Sequence, residues 1–379
     1  MGYAFHLGIW EKCLSIAVPF VTIKELLVLS NKNCLVIGGG VAGMATSLGI
    51  ANSGNHVYIV EREDKLGGKT YWLDKLNPTH ELAEGCDGDI SKCETIPKIE
   101  DINSNDNIEV LLGTKVIGVD GEAPDFKVQL AGDNGQMELN VGAIVVATGT
   151  KNFDPTEIKE YWYGEYEDII TSKELLDLLK ENSGELKRPS DGKVPSTVNF
   201  VQCVGSRDRH KGHPYCSVIC CTFSVSLSRR IKEMHPDMDV YVHYIDLRGP
   251  YHGFEDLLTM AQDRGVLFVR GRVGDIVPEG DKLLVRTEEI DTGDLFFIES
   301  DMVILAVGQE LDESDKEMAE MLGIPFEEHE FMKGMECLGE DGKNGVFVVG
   351  SARGPRGVIH SIEDAKSVSF EIIDFLNSD

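Results

Sequence analysis

Four of the nine cysteines in this 379-residue chain fall between positions 203 and 221, close enough in sequence to do chemistry together. Cys203, Cys216, Cys220 and Cys221 have 12, 3 and 0 residues between them. Four thiolates can bind a 4Fe–4S cluster or a zinc ion, and two thiols can form a redox-active disulfide. Cysteines also pack as small buried apolar side chains. The spacing leaves these four interpretations open and favours iron–sulfur.

A second chemical pattern is the glycine spacing G-x-G-x-x-G at Gly38, Gly40 and Gly43. The first glycine allows a tight turn, the second lets the backbone approach a pyrophosphate, and the third lets a helix pack close to a strand. The pyrophosphate then lies at the positive end of that helix. Glu61, which ends the next apolar run, can accept hydrogen bonds from ribose hydroxyls. This stretch therefore predicts a dinucleotide site.

Short β-rich runs alternate with helical patterns along the chain and must position these residues. The predicted strands are 34–37, 57–60, 142–150, 197–205, 239–246, 266–271, 301–308 and 345–350. Apolar residues recur at three- and four-residue spacing between the first two strands, and 172–182 and 254–265 also read as helices. Strands that alternate with helices predict an α/β fold with largely parallel sheets.

Composition narrows the function classes. The net charge of −29 would repel a phosphate backbone, so no nucleic acid partner is expected. Nine cysteines are too sparse for a disulfide scaffold and indicate reduced thiols. Within residues 1–32, interpreted as an N-terminal extension, the longest uncharged run after Lys12 covers 13–23. That run is too short to span a membrane. We expect a cytoplasmic protein without a direct membrane span.

Three segments resemble the motifs of flavoproteins with two dinucleotide-binding domains, of the thioredoxin reductase type. They are "EREDKLGGKT" after the second strand, "VVATGT" at 145–150, and "GVFVVGSARGPRGVIHSIEDAKSVS" at 345–369. The resemblance implies FAD as cofactor, with the helix of the third motif pointing at the flavin ring. The residues assigned to the FAD site are Gly38, Gly40, Val41, Ala42, Gly43, Glu61, Arg62, Gly67, Gly68, Lys69, Val116, Ala147, Thr148, Gly149, Gly350, Ser351, Gly357, Val358 and Ile359.

The same resemblance implies a domain division. Residues 33–150 and 311–379 would form the FAD-binding domain, and 151–310 an inserted region that resembles a nicotinamide-binding domain. In that region the strand "TVNFVQCVGSRDR" keeps Gly205 but lacks a glycine triplet, and Cys203 is predicted to stand in the turn. The cysteines thus begin where a nicotinamide site would begin, which argues against a simple NAD(P)H-driven reductase.

The inserted region also resembles the A-type subunit of heterodisulfide reductase. The segments "FVQCVGSRD", "YCSVICC", "HYIDLRG", "GVLFVRGRV" and "DMVILAVG" follow one another in the order seen in that family. The resemblance implies that Cys203, Cys216, Cys220 and Cys221 bind a 4Fe–4S cluster near the FAD, and adjacent ligands are expected to strain the backbone. Cys86 and Cys93 are too widely spaced to be expected as ligands. The neighbouring His210 and His213 are expected to be outer or surface residues.

Among relatives of this family the chain looks like the short form. The resemblance implies an electron-transfer oxidoreductase subunit of a heterodisulfide reductase-like complex in sulfur metabolism. Its implied partners are B- and C-type subunits, a lipoate-bearing carrier protein and a second copy of the chain. Two alternatives stay open: a flavoprotein subunit of a quinone-interacting oxidoreductase, and a stand-alone NAD(P)H-dependent disulfide reductase. The sequence assigns no catalytic residue.

Overall fold

The computed structural model describes residues 31–72, 95–133, 135–210, 212–334 and 344–378. Most of the predicted N-terminal extension lies outside the described residues, as do Cys86 and Cys93. None of the helices formed by the described part of the chain combines the length and the apolar character that crossing a membrane requires.

The described strands, in chain order, are β1 (Cys34–Ile37), β2 (Val57–Val60), β3 (Ile108–Leu111), β4 (Thr114–Asp120), β5 (Phe126–Gly132), β6 (Gly135–Val141), β7 (Ala143–Val146), β8 (Lys151–Asn152), β9 (Ile169–Thr171), β10 (Thr197–Val204), β11 (Asp239–Tyr244), β12 (Leu267–Glu279), β13 (Lys282–Glu289), β14 (Leu295–Ser300), β15 (Met302–Val307), β16 (Gln309–Glu310) and β17 (Val346–Val348). The α-helices are α1 (Val41–Asn52), α2 (Ile99–Asn103), α3 (Ser172–Glu181), α4 (Cys220–Met234), α5 (Phe254–Asp263), α6 (Glu313–Leu322) and α7 (Val358–Asn377). Every predicted strand and helix is present, so the predicted α/β class is confirmed.

A first sheet of five parallel strands has the order β17-β7-β1-β2-β3. Strand order reverses between β1 and β7, and ligands of open α/β sheets bind at the carboxyl ends of strands beside such a switch point. Helices α1 and α7 cover one face of this sheet over a shared apolar core. The antiparallel sheet β4-β5-β6 packs on a second core that contains the other faces of β1 and β7.

A second sheet of seven strands has the order β14-β13-β12-β11-β10-β15-β9. Its strands from β9 to β12 are parallel, whereas β13 and β14 are added antiparallel. Here strand order reverses between β10 and β15, so their carboxyl ends form the corresponding switch point. The four clustered cysteines lie at that edge, as described below.

In two helices the local sequence explains where the helix begins. Helix α3 begins at a capping box in which Thr171 accepts from the Glu174 amide and Glu174 reaches back to the Thr171 amide. Helix α6 begins in the same way with Asp312 and Asp315. Helices α1, α4 and α7 have no side-chain cap and no acidic residue in the first turn. Their first-turn N–H groups are therefore available to other acceptors.

Candidate functional site

The glycine turn after β1 leaves room for a ligand at one position and none at its neighbours. A Cβ on Gly38, whose φ is +108°, would lie 2.6 Å from the carbonyl oxygen of Ala147. A Cβ on Gly43 would lie 1.9 Å from the carbonyl oxygen of Gly38. A Cβ on Gly40 would meet nothing within 4 Å. The first and third glycines thus serve packing, and the space beside Gly40 at the start of α1 fits a pyrophosphate.

The second predicted element of this site, Glu61, follows β2 and is buried. Its Oε2 accepts a 2.7 Å hydrogen bond from the Gly39 amide, and its Oε1 accepts from the Glu63 amide at 3.0 Å. A carboxylate has about four acceptor positions, so two are left for ribose hydroxyls. The arrangement fits the adenosine half of FAD.

Lys69 lies in the short helix that follows the Gly67–Gly68 turn, and that turn packs against the glycine turn through a bridge from Gly67 to Gly40. The Lys69 Nζ donates to Thr150 Oγ1 and Asn152 Oδ1, both at 3.2 Å. Burial lowers the pKa of Lys69 to about 8. With this pKa the Lys69 amine is still mostly protonated at neutral pH. Its positive charge therefore lies beside the end of β7, where the second flavoprotein motif lies.

The third motif is stabilised by contacts between its own residues. The Gly350 amide donates to Asp364 of α7 at 2.7 Å, and Arg353 and Arg356 also pair with Asp364. The helix start at Gly357 is left without a cap. These contacts hold the carboxyl end of β17 beside α7. The free N–H groups at the start of α7 therefore face the same edge of the sheet as the glycine turn.

The structure places the remaining predicted FAD residues as follows. Val41 and Ala42 begin α1; Ala147, Thr148 and Gly149 follow β7; Ser351 follows Gly350; and Val358 and Ile359 begin α7. Arg62 is exposed and lies 3.5 Å from the Ser314 hydroxyl. Val116 is buried in the apolar core between β1, β7 and the antiparallel sheet. Apart from Val116, the predicted set gathers at the carboxyl edge of the first sheet, where the Arg62 side chain is exposed.

At the cysteine site, the structure corrects the predicted position of Cys203. Cys203 belongs to β10, where the pairing with β15 shifts register between Val201 and Val204. It adopts a positive φ of 61°, which is uncommon outside glycine. The bulge turns the end of the strand at the point where the sequence suggested a turn.

The backbone strain expected for adjacent ligands lies beside the two cysteines rather than at them. Cys220 and Cys221 are the first two residues of α4, and neither has a positive φ. Strain lies instead at Arg207 and Val218, with φ of 56° and 66°. A β-branched residue such as valine is a genuine outlier there. The strained Val218, two residues before the helix, sets the direction in which α4 begins, so that its first two residues can both line one site.

All four predicted cysteine ligands line one pocket, together with Ser206, Arg207, Ser217, Val218, Asp246 and Arg248. The Cys220 sulfur lies 3.7 Å from the carbonyl oxygen of Val307, at the end of β15. The Cys221 sulfur lies 3.8 Å from that of Asp246, just after β11. The described residues contain no group of three or more His, Cys, Asp or Glu arranged to hold a single ion.

Burial controls the acidity of these free thiols. It raises the pKa of Cys203 to about 11 and raises the pKa of Cys220 and Cys221, each also affected by the neighbouring thiols. Arg207 acts in the opposite direction on Cys203 and Cys221. The buried thiols of Cys203 and Cys220 are therefore protonated at neutral pH, and a metal would bind them by displacing protons.

The pocket also offers groups that favour an anionic occupant. The Val218 amide donates to the Cys216 sulfur at 3.4 Å, and Cys220 is the first residue of the first turn of α4. Arg207 pairs with Asp246 at 2.7 Å, yet its Nη1 atom is buried without a hydrogen-bond partner among the described residues. Four thiols that a metal would deprotonate, a helix N-terminus and a guanidinium are, in donor chemistry, the groups that would suit a 4Fe–4S cluster.

The flanking histidines point elsewhere. The His213 Nε2 lies 2.7 Å from Glu310, and its ring stacks on Tyr215. His210 is exposed. Sequence reasoning left Asp246, Arg248 and Tyr251 unassigned. Asp246 and Arg248 lie within the segment "HYIDLRG", and Tyr251 follows it; the segment was informative for the resemblance but carried no signal of which side chains would face the site.

Comparisons with known proteins agree with the sequence reasoning. Residues 32–188 match the family model described as pyridine nucleotide-disulphide oxidoreductase. The second A-type iron–sulfur subunit of the CoB–CoM heterodisulfide reductase of Methanopyrus kandleri is 30% identical over 92% of this chain and 65% of its own. The A-type subunit of the H₂:CoB–CoM heterodisulfide, ferredoxin reductase of Methanothermobacter thermautotrophicus is 29% identical over 89% and 63%. The chain thus spans just under two thirds of the length of these relatives.

Among solved structures, the thioredoxin reductase of T. acidophilum has a TM-score of 0.59 at 14% identity, covering 90% of this chain and 98% of its own. That of Lactococcus lactis has a TM-score of 0.58 at 17% identity, covering 91% and 99%. These likenesses confirm the predicted two-domain flavoprotein fold. The sequence matches confirm the resemblance to the A-type subunit of heterodisulfide reductase.

Proposed function

We propose, from its kinship with the A-type subunits of heterodisulfide reductases, that this chain is an electron-transfer protein that binds FAD and one 4Fe–4S cluster within a larger complex. FAD exchanges two electrons with a substrate or one at a time with a metal centre, and a cluster carries one electron. The glycine turn, Glu61 and the start of α7 would hold the flavin. Cys203, Cys216, Cys220 and Cys221 would hold the cluster. The chain's own task is to place both and to tune their potentials.

The observation that carries the proposal is that four cysteines from three separate segments line one pocket. In a 4Fe–4S cluster each thiolate binds a different iron, so thiols around a pocket suit it better than sulfurs around a single point. The pocket lies at the switch point of the second sheet, where a nicotinamide cofactor would bind in a related fold. The start of α4, which would otherwise receive a pyrophosphate, carries Cys220 and Cys221.

Thiol acidity argues against the stand-alone disulfide reductase. A redox-active thiol attacks as the thiolate and needs a lowered pKa. The pKa of Cys203 is raised to about 11, and those of Cys220 and Cys221 are also raised. These thiols are poor nucleophiles without a metal, whereas metal binding stabilises the thiolate form.

The finer proposal follows the family resemblance. The chain would work inside a heterodisulfide reductase-like complex of sulfur metabolism in the cytoplasm, beside B- and C-type subunits and a lipoate-bearing carrier, and as a homodimer. The net charge of −29 supports partner surfaces that carry positive charge. The proposed domain division, 33–150 with 311–379 around 151–310, assigns the two sheets to the two cofactors.

The cluster is tested by analysis of protein purified without oxygen. We expect about four iron and four sulfide per chain, and an EPR signal after reduction. Cys203→Ala should lose the iron and keep the FAD. Cys34→Ala is the matched control, because Cys34 is buried in β1 and does not line the pocket; it should keep both. Zinc without iron in the wild-type protein would rule the cluster out.

The electron donor is tested separately by anaerobic mixing with NADH and with NADPH. Flavins in general absorb near 450 nm. We expect this absorbance to stay unchanged for seconds after mixing. Rapid bleaching by either nucleotide would identify the stand-alone reductase instead. Reoxidation of the dithionite-reduced protein by a soluble quinone, but not by a lipoamide disulfide, would favour the quinone-interacting alternative.

A further inference from the structure

A short loop, residues 246–251, joins the two proposed cofactor sites. It follows β11, and its first residue accepts from the Cys221 thiol through the Asp246 carbonyl at 3.8 Å. Asp246 and Arg248 line the cysteine pocket. Three residues further on, Tyr251 contacts α7, whose N-terminus belongs to the proposed flavin site. The loop therefore contacts both sites within six residues.

Tyr251 is held firmly at the start of α7. Its side chain is 8% exposed, and its ring stacks on His360 with centroids 4.9 Å apart and planes 16° from parallel. Its hydroxyl would lie 2.1 Å from a Cβ built on Gly357. Only glycine leaves room there, so the hydroxyl reaches the helix N-cap itself.

The oxygen of the Tyr251 hydroxyl faces the backbone amide of Gly357, but its O–H proton has no acceptor among the described residues. Leaving a buried polar group unpaired is costly, and such a group in a native protein calls for an explanation. The uncapped start of the 20-residue helix α7, without acidic residues in its first turn, offers further donors beside it. A buried O–H and free N–H groups on one spot are a site for the acceptor atoms of a ligand.

We propose that Tyr251 is a positioning residue whose hydroxyl donates a hydrogen bond to the carbonyl-bearing edge of the bound flavin ring, and that the loop 246–251 ties this contact to the cysteine site. The inference rests on the proposed function. The inserted region then reaches across to the flavin through one side chain. Pro250, whose ring fixes its own φ, directly precedes Tyr251 and restricts the backbone between that side chain and the Cys221 contact.

The hydrogen bond is tested with Tyr251→Phe, which keeps the ring that stacks on His360 and removes only the hydroxyl. A donor at that edge stabilises the reduced, negatively charged flavin more than the oxidised form. We expect the variant to shift the flavin equilibrium about tenfold towards the oxidised form, equal to a fall of about 30 mV for a two-electron couple. The flavin absorption band should also shift. Tyr244→Phe, a partly buried tyrosine at the end of β11, is the control and should change neither.

A second measurement separates this role from a structural one. Without FAD, Tyr251→Phe should be about as stable as wild type, because the loss of the contact with the Gly357 amide is offset by the loss of a buried O–H donor that has no acceptor. With FAD, it should gain less stability than wild type does. An unchanged flavin potential and spectrum, or an equal gain in stability from FAD in the two proteins, would overturn the inference while the proposed function stands. Wild-type protein that binds no flavin would overturn both.

Discussion

The carboxylate of Glu61 accepts a 2.7 Å hydrogen bond from the backbone amide of Gly39, and this contact joins the end of β2 to the glycine turn after β1. Because the acceptor is charged and buried, the bond belongs to the stronger class. One residue thus braces the turn and keeps its remaining lone pairs for the proposed nucleotide.

Glu61→Gln should weaken both functions. An amide group can satisfy one of the two backbone donors but places an N–H₂ group against the other, so we expect the free energy of unfolding to fall by about 1–3 kcal/mol. FAD affinity should fall about tenfold, the equivalent of about 1.4 kcal/mol. Urea unfolding of the FAD-free protein and fluorescence titration with FAD measure the two effects. Glu63→Gln, an exposed neighbour, should change neither; equal losses in both variants would contradict the assignment.

Gly40→Ala and Gly43→Ala form a matched pair that separates binding from folding. A methyl group on Gly40 meets no atom within 4 Å, and its φ of −73° suits alanine. We expect stability within about 0.5 kcal/mol of wild type and FAD binding at least tenfold weaker. A methyl group on Gly43 meets the Gly38 carbonyl, and overpacking of this kind costs about 1–3 kcal/mol. Thermal unfolding and FAD titration check both. Wild-type FAD affinity in Gly40→Ala would exclude the pyrophosphate from this turn.

Val218→Gly should stabilise the metal-free protein. Val218 has a φ of 66°, and such a conformation costs about 1–3 kcal/mol. Glycine loses about 0.5–1 kcal/mol through its more flexible unfolded chain. We expect a net gain of about 1 kcal/mol in urea unfolding. Ser183→Gly, at a positive φ of 56° away from the cysteines, is the control and should gain less because serine is not β-branched. A loss of stability in Val218→Gly would mean that the valine is not strained.

His243 makes stability depend on pH. Its ring is buried in the inserted region between Thr287 and Asn199, at 2.8 and 2.6 Å, and burial lowers its pKa from 6.5 to about 4. Between these values the unfolded chain binds the extra proton, so stability is lost as pH falls from 6.5 towards 4. Each pH unit contributes about 1.4 kcal/mol, or about 2 kcal/mol between pH 6.5 and 5.

His243→Gln, which keeps a hydrogen-bonding side chain without a titrating group, should remove that contribution. Urea unfolding at pH 7 and pH 5 measures it in both proteins. The difference in unfolding free energy between the two pH values should be about 2 kcal/mol smaller in the variant. The same difference in variant and wild type would show that the histidine is not held neutral in the fold.

The sequence was sufficient for features set by local chain chemistry. The apolar runs predicted β1, β7, β10 and β15, because a buried strand needs consecutive apolar residues. The glycine spacing predicted the turn after β1, since a Cβ at Gly43 or Gly38 would lie only 1.9 or 2.6 Å from a backbone carbonyl oxygen. It did not predict the antiparallel sheet β4-β5-β6, in which β5 alternates buried and exposed residues but β6 is exposed along most of its length.

The tertiary structure decided which residues lie next to one another. Cysteine spacing left four interpretations open, and the pocket shared by Cys203 and Cys221 arises because β10, β15 and β11 end at one edge of a sheet. Strand order depends on packing between segments far apart in the chain, which local patterns do not encode. For the same reason Tyr251 had no signature of its own: its role comes from the stack on His360, 109 residues away, which only the folded chain brings together.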